Sequence, residues 1–338
     1  MKIGKTKLIP ENIKPPNANK LAIYDGNTKI CDVDISSMIP KNLGTKLYSF
    51  GLLSDIHLRG NYDDYPMGDT LDKAMTFFEN QGCSFCCNAG DLTMYGYFTN
   101  VTIEEDLSQM AEYRTICAKH PNLPMYGICG NHESFNKSLY DETNPKYEQM
   151  KIDTGHDLYY TIAQGNDLFV MIGQPSSSYY GQGKSEIWDV ELEWLDATLA
   201  ANTNKRCFVF IHSCLTDDSG NPKGIHDETI GAQETAFVSV MKKYPNAILF
   251  HGHSHLDFCE QFKYSYLNYS TKKGIKSIHI PSIYASRLVK EDESGFEASD
   301  RSRKYGYIAE AYENHLVLKG YDFLANDFVP IAQYCIET

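Results

Sequence analysis

The sequence predicts an α/β fold built on a parallel sheet, and three observations predict it. Short apolar runs alternate with amphipathic helical stretches from residue 46 onward. Alternation of this kind gives βαβ units, whose strands run parallel. Polar residues able to ligate a metal then follow directly after several of the apolar runs. Open α/β sheets place their ligands just beyond the carboxyl ends of the strands.

Residues 1–45 read as a small accessory β arm. Pro10, Pro15, Pro16 and Asn17 punctuate a polar lead, and two β-prone runs, 21–24 and 29–33, flank the turn Asp25-Gly26-Asn27 as a hairpin would. The arm shows no candidate chemistry. The main domain is expected over 46–338. Residues 47–53 read as a buried strand, with Asp55 and His57 at its exit. Residues 70–80 form an amphipathic helix, 84–87 the next strand, and Gly90-Asp91 its exit. The spacing predicts a second helix over 103–119, whose first turn carries Glu104, Glu105 and Asp106, where the helix dipole favours anions. Residues 125–129 form the third strand, with Gly130-Asn131-His132 as its exit.

The second half is richer in strands. Residues 158–162 and 167–172 flank Gln164-Gly165-Asn166 as a hairpin. A helix over 190–201 carries Trp194. The strand over 206–211 ends at His212, a helix follows over 233–244, and the strand over 246–250 leads to His253 and His255. A closing hairpin, 305–311 and 315–320, turns at Glu313-Asn314. The charged, Ser-containing segment 290–304 reads as an exposed loop.

Bulk properties exclude several classes. The 338 residues are 42% hydrophobic and 22% charged, an ordinary globular composition. A net charge of −13 argues against tracking along a nucleic-acid backbone, which needs a basic face. It does not argue against a small anionic substrate, because bound divalent cations would set the local field. No run approaches the ~18 apolar residues of a membrane span, and the N-terminus shows no signal-peptide core. The ten cysteines sit mainly in apolar runs, which predicts reduced, buried thiols in a cytoplasmic protein. Cys83-x-x-Cys86 lacks the second pair that a zinc site needs.

The chemistry lies in five ordered motifs: Asp55-Ile56-His57, Gly90-Asp91, Gly130-Asn131-His132-Glu133, His212, and Gly252-His253-Ser254-His255. They supply two carboxylates, an amide oxygen, four ligand imidazoles and a spare imidazole, enough for two divalent ions around a shared carboxylate. Singly, each residue has a plainer reading: Asp55 as a helix cap, Asp91 or Asn131 as a turn former, His212 as a core histidine. Jointly, in this order and each after an apolar run, the plainer readings fail. In an extended segment, Asp55 and His57 would point to one side and chelate together. His120, His156, His226, His279 and His315 have no motif around them and are expected at the surface or in packing; His251 is expected to precede the ligand loop without joining it.

These residues resemble the calcineurin-like metallophosphoesterase superfamily, whose pattern is D-x-H, G-D, G-N-H-[D/E], H and G-H-x-H. The resemblance spans residues 55–255. It implies a four-layer α/β/β/α sandwich of two mixed β-sheets. It also implies a division of ligands: Asp55, His57 and His255 on one metal, Asn131, His212 and His253 on the other, Asp91 bridging, and His132 free to act on substrate. One departure is Met94, where many members carry a polar residue three positions after the G-D aspartate; that position is not a ligand.

The implied function is hydrolysis of phosphate esters, with a metal-bridging hydroxide as nucleophile and His132 as general acid. Oxygen and imidazole ligands without thiolate suit two divalent ions such as Mn²⁺, an Fe/Mn pair or Zn²⁺. Arg59, Tyr95 and Tyr97 are candidates for contacting a small phosphorylated substrate. Two other expectations compete: a phosphodiesterase acting on cyclic nucleotides or other small diesters, and a non-catalytic binding or assembly module.

Overall fold

The computed structural model describes residues 6–10, 20–25, 28–34, 43–59, 67–94, 103–133, 151, 155–173, 176–177, 185–187, 189–220, 229–260, 268–298 and 300–338. Two six-stranded mixed sheets dominate. The first contains β4 (Lys46–Leu53), β5 (Cys86–Asn88) and β6 (Met125–Gly127), which run parallel. Antiparallel β15 (Tyr305–Tyr312), β16 (His315–Asp322) and β17 (Asp327–Glu337) extend it beyond β4. The second sheet places β8 (Asp167–Ile172), β11 (Arg206–Phe210), β12 (Ala247–His251) and β14 (Lys276–His279) in parallel. Antiparallel β7 (Tyr159–Gln164) and β13 (Tyr269–Ser270) close its edges.

Three apolar clusters make this a four-layer sandwich. Between the sheets lie Phe50, Leu52, Phe169, Phe208, Phe250 and Tyr307, among others. The Phe50 ring stacks on Phe85 at 5.3 Å and meets the Phe169 ring edge-on at 5.1 Å, the offset and T-shaped arrangements that the ring quadrupole favours. Outside the first sheet pack α1 (Met67–Asn80) and α2 (Ile103–Lys119). In α1 the buried residues Met67, Leu71, Ala74, Met75 and Phe78 recur at the three- and four-residue spacing of one helix face. Outside the second sheet pack α3 (Asp189–Ala200) and α4 (Glu234–Lys242).

A buried ion pair ties the two sheets together. Arg206 Nε donates to Asp167 Oδ1 at 3.0 Å, and its Nη1 donates to the Tyr312 carbonyl at 2.8 Å. Tyr48 of β4 donates its hydroxyl to the same carboxylate. Removing one member of a buried pair typically costs ~3–5 kcal/mol, because the other charge is left uncompensated.

Three expectations need revision. The polar lead contains a strand, β1 (Thr6–Pro10), which pairs antiparallel with β2 (Lys20–Asp25) and so adds a third strand to the hairpin of β2 and β3 (Thr28–Asp34). The C-terminal hairpin is extended by β17, which contains Pro330. Proline removes a ladder donor and is tolerated at a sheet edge, where β17 lies. Segment 290–304 is mostly exposed, but it is pinned by the bridges Ser286–Asp300 and Val289–Phe296 and ends on the buried Lys304. The remaining strands, β9 (Ser176–Ser177) and β10 (Ser185–Glu186), pair with each other.

Candidate metal centre

Five strand ends from both sheets deliver the motif residues to one place. Asp55 and His57 follow β4, Asp91 follows β5, Asn131 follows β6, His212 follows β11, and His253 and His255 follow β12. The backbone that presents them is unusual. Asp55, His57, Asp91, His253 and His255 all have positive φ, between 52° and 72°. Non-glycine residues rarely occupy this left-handed region, and such strain persists where the surrounding structure over-determines it. The motifs are therefore not extended, contrary to the simple reading of D-x-H: Asp55 and His57 converge through left-handed turns. The turns are held by backbone bonds from Asp55 N to Gly90 O and from His57 N to Asp91 O, each 3.0 Å.

The donor atoms form three overlapping groups, Asp55–His57–His255, His57–Asp91–His132 and Asp91–His212–His253, each with its donors within 4.8 Å of one another. Asp55 Oδ1 lies 3.1 Å from His255 Nε2, and Asp91 Oδ2 lies 3.1 Å from His212 Nε2. Asn131 Oδ1 joins the second group at 3.0 Å from His212 Nε2, and His253 Nδ1 at 3.1 Å from the same nitrogen. His57 Nε2 is 3.8 Å from Asp91 Oδ2 and 3.9 Å from Asp55 Oδ1, so it stands between the two carboxylates.

Several observations test whether a cation fits. Asp55 Oδ2 is satisfied by Ser54 Oγ at 2.5 Å and His253 N at 3.0 Å, while the buried Oδ1 has no hydrogen-bond partner and faces the imidazoles. His212 and His255 bond through Nδ1 to the carbonyls of Ala89 (2.7 Å) and Ala285 (2.9 Å). A carbonyl can only accept, so each Nδ1 donates and each Nε2 keeps its lone pair for a cation. Burial, followed by the charge of His132, pushes the His57 imidazole well below its usual pKa. Burial opposes ionisation of Asp55 and Asp91, but neighbouring imidazoles, led by His255 and His212 respectively, hold both carboxyls well below the ordinary range. Neutral imidazole and ionised carboxylate are the states that a divalent ion needs. Burial would also lower His212, yet the Asp91 carboxylate outweighs it and lifts this ring to about 10, so that without a cation Nε2 holds a proton, which a divalent ion on the same carboxylate would displace. The residues present fit a divalent metal centre.

Two glycines are required by close approach. A Cβ on Gly130 would lie 2.1 Å from Asp91 Oδ1, and one on Gly252 would lie 1.7 Å from Ser54 Oγ. Any side chain at either position would displace a donor.

His132 reaches the same centre by another route. Its Nδ1 bonds to the Met94 carbonyl at 2.7 Å, which leaves Nε2 facing Asp91 Oδ2 at 3.8 Å. The residue at the family's variable polar position thus contributes through its backbone. Burial lowers the His132 pKa and Asp91 opposes the shift. Arg59 lies beside the centre, with Nη2 donating to the Tyr284 hydroxyl at 2.5 Å. Tyr95 and Tyr97 lie outside the described residues, as does His226.

Among the other histidines, His251 bonds through Nε2 to Ser219 Oγ at 2.8 Å and belongs to none of the three donor groups. His279 lies beneath the last motif, its Nε2 3.0 Å from Ser254 Oγ. His120 is held between Glu79 and Asp72, and His156 stacks on Tyr160. Cys83 and Cys86 are buried free thiols whose pKa burial pushes up, that of Cys83 to about 12, which is packing and not redox chemistry.

Two residues complete the site beyond the donors that the motifs assign. Glu133 is buried, and its carboxylate accepts from Thr93 N (2.8 Å), Thr93 Oγ1 (3.0 Å) and Gly130 N (2.8 Å), pinning the third motif to the second. Tyr284 lays its ring against His57 at 5.1 Å, and Tyr284 N donates to the Asp55 carbonyl at 3.2 Å. The motif's acidic fourth position pointed to Glu133 only as part of a pattern; Tyr284 lies in an apolar stretch that matches none.

No curated protein matches the chain by sequence. Among solved structures, a dimetal phosphatase from Danio rerio superposes with a TM-score of 0.56 at 15% identity, covering 87% of this chain and 99% of that one. A Plasmodium protein described as GAP50, the anchor in the inner membrane complex, superposes with a TM-score of 0.54 at 11% identity, covering 87% and 89%. At these identities the likeness is one of fold. The family model for calcineurin-like phosphoesterases matches residues 48–257, from within the strand that presents Asp55 to just past His255. That match covers more than half of the sequence and all five motifs, so this chain belongs to the calcineurin-like phosphoesterase family.

Proposed function

We propose that this protein hydrolyses phosphate esters at a centre of two divalent ions. The observation that supports this most is the convergence of the motif donors into three groups sharing Asp91 and His57. Asp55, His57 and His255 would hold one ion, Asn131, His212 and His253 the other, and Asp91 would bridge them. The thiolate-free donor set suits Mn²⁺, an Fe/Mn pair or Zn²⁺. When bound, such a pair supplies Lewis acidity, drawing charge from phosphoryl oxygens and lowering the pKa of water.

The chain's own residues orient and protonate. The carbonyls of Ala89 and Ala285 fix the rings of His212 and His255, so that their Nε2 atoms face the centre. The Met94 carbonyl does the same for His132. Protonated at Nε2, His132 would give its proton to the leaving oxygen. Arg59 would contact an anionic group of the substrate. Buried free thiols at Cys86 and Cys87 fit a reducing compartment such as the cytoplasm. Among the described residues, no helix is long and apolar enough to cross a membrane.

The test is turnover of 4-nitrophenyl phosphate and bis(4-nitrophenyl) phosphate by the Mn²⁺-loaded protein. Turnover of either supports the enzyme, and a preference for the diester favours the phosphodiesterase reading. The Plasmodium neighbour described as an anchor motivates a second reading, a binding module on the same fold. Protein that holds two metals per chain and turns over neither ester would favour that reading.

A further inference from the structure

In a chain of net charge −13, three cations gather on one ring beside the centre. The Arg59 Cζ lies 5.1 Å from the Tyr284 ring centroid, the Arg301 Cζ 5.0 Å, and the Lys304 Nζ 5.3 Å. The same ring meets that of His57 at 5.1 Å. Arg59 is partly exposed and Arg301 exposed, while Lys304 is buried and donates to the Tyr284 carbonyl.

A cation–π contact needs one cation, and each further one repels the first. The repulsion registers at Lys304. Burial, followed by the charge of Arg301, pushes its ammonium down to about 8, with Arg59 adding to the effect and Asp322 and Asp300 opposing it. The cations come from separate parts of the chain, at residue 59 and at 301–304, so sequence proximity does not explain their meeting. Arginine also presents the planar fork that binds phosphate or carboxylate through two parallel bonds.

The position decides which anion. A scissile phosphoryl group belongs at the donor atoms of His57 and His255. The Tyr284 ring adjoins both groups, with the His57 ring at 5.1 Å and the Arg301 guanidinium at 5.0 Å, so that guanidinium is no more than about 10 Å from the His57 ring. An anion on Arg301 and a phosphoryl group held beside His57 would therefore adjoin the same Tyr284 ring, close enough for one small substrate to carry both.

We infer that Arg59 and Arg301, on the platform of Tyr284, form a second anion subsite, so that the substrate class is a phosphate ester carrying a further phosphate or carboxylate. This rests on the phosphoesterase reading, in which the first phosphoryl group occupies the metal centre. Lys304 supports the subsite without touching the ligand.

Calorimetric binding of phosphonates, which cannot be hydrolysed, tests it on the full-length Mn²⁺-loaded protein. The probes are butylphosphonate, butane-1,4-bisphosphonate and 5-phosphonopentanoate. The bisphosphonate or the phosphonocarboxylate should bind at least about tenfold tighter than butylphosphonate, as expected for an added charge-assisted pair. The tighter of the two names the second group. That affinity ratio should fall below about threefold in Arg301→Gln and Arg59→Gln, and Arg301→Lys should retain part of it. A wild-type ratio below about threefold, or one that survives in both glutamine variants, overturns the subsite while butylphosphonate binding still upholds the metal centre. Failure of butylphosphonate to bind protein that holds its metals overturns the phosphoesterase reading, and the subsite with it.

Discussion

His57 Nε2 and His255 Nε2 face each other at 3.1 Å, although 198 residues separate them in the chain. The His255 proton is committed through Nδ1 to the Ala285 carbonyl, so its Nε2 turns a lone pair toward His57 and the centre. The separation is what neighbouring nitrogens adopt around one ion: metal–nitrogen bonds of about 2.0–2.1 Å put adjacent donors roughly 3–3.4 Å apart. Asp55 Oδ1, at 3.1 Å from the same His255 nitrogen, has the same relationship.

This geometry makes metal content the first readout. Asp91 shares one donor group with His57 and another with His212 and His253, whereas neither group of His57 contains His212 or His253. Asp91→Ala should lose both ions and His57→Ala mainly one, measured by elemental analysis of the purified proteins. An Asp91→Ala protein that retained two metals per chain and full activity would end the assignment of Asp91 as the bridge.

His132 should separate binding from rate. Its ring is fixed by Met94 and is assigned to the leaving group, so His132→Ala should keep its metals and lose ~10²–10⁴-fold in kcat on alkyl phosphates. On 4-nitrophenyl esters, whose leaving group needs little protonation, the loss should be much smaller. Equal losses on both kinds of ester would show that His132 is not the acid.

Lys304 provides a pH dependence with a definite sign. Its folded pKa of about 8 is below the ordinary value of 10.5, so the fold disfavours the charged form. Between those values the unfolded chain binds more protons than the folded one, and stability rises with pH. Lys304→Met should remove this rise, which after discounting for solvent screening is about 1–2 kcal/mol. Denaturant midpoints from pH 8 to 10.5 measure it. A wild-type slope that persists unchanged in Lys304→Met would assign it to other groups.

The N-terminal strands contribute no donor to the described metal groups, and β1 approaches β17 at the edge of the first sheet. We propose that residues 1–45 dock without taking part in the chemistry. Deleting residues 1–40 should leave kcat on a small aryl phosphate within a few-fold, whatever it does to stability. A truncated protein that folds by circular dichroism, holds both metals and is inactive would show that the arm reaches the centre.

The sequence by itself determined the donor inventory, its order, and the strand before each donor, because strand exits follow apolar runs and the motifs are local. It located β4, β8, β11, β12 and α2 closely for the same reason. It did not reveal β13 and β14, which are short, or β17, where Pro330 breaks the pattern and only an edge position makes it tolerable. Tertiary structure alone decided how the donors aim. Positive φ at Asp55, His57, Asp91, His253 and His255 is imposed by bonds between loops, such as those from Asp55 N to Gly90 O and from His253 N to Asp55 Oδ2, and not by local preference. The same holds for Tyr284, an ordinary tyrosine in an apolar stretch until the segment around it folds over the Asp55 loop. Local physics sets which side chains are available and where strands end, whereas long-range packing sets their direction, and the chemistry depends on the direction.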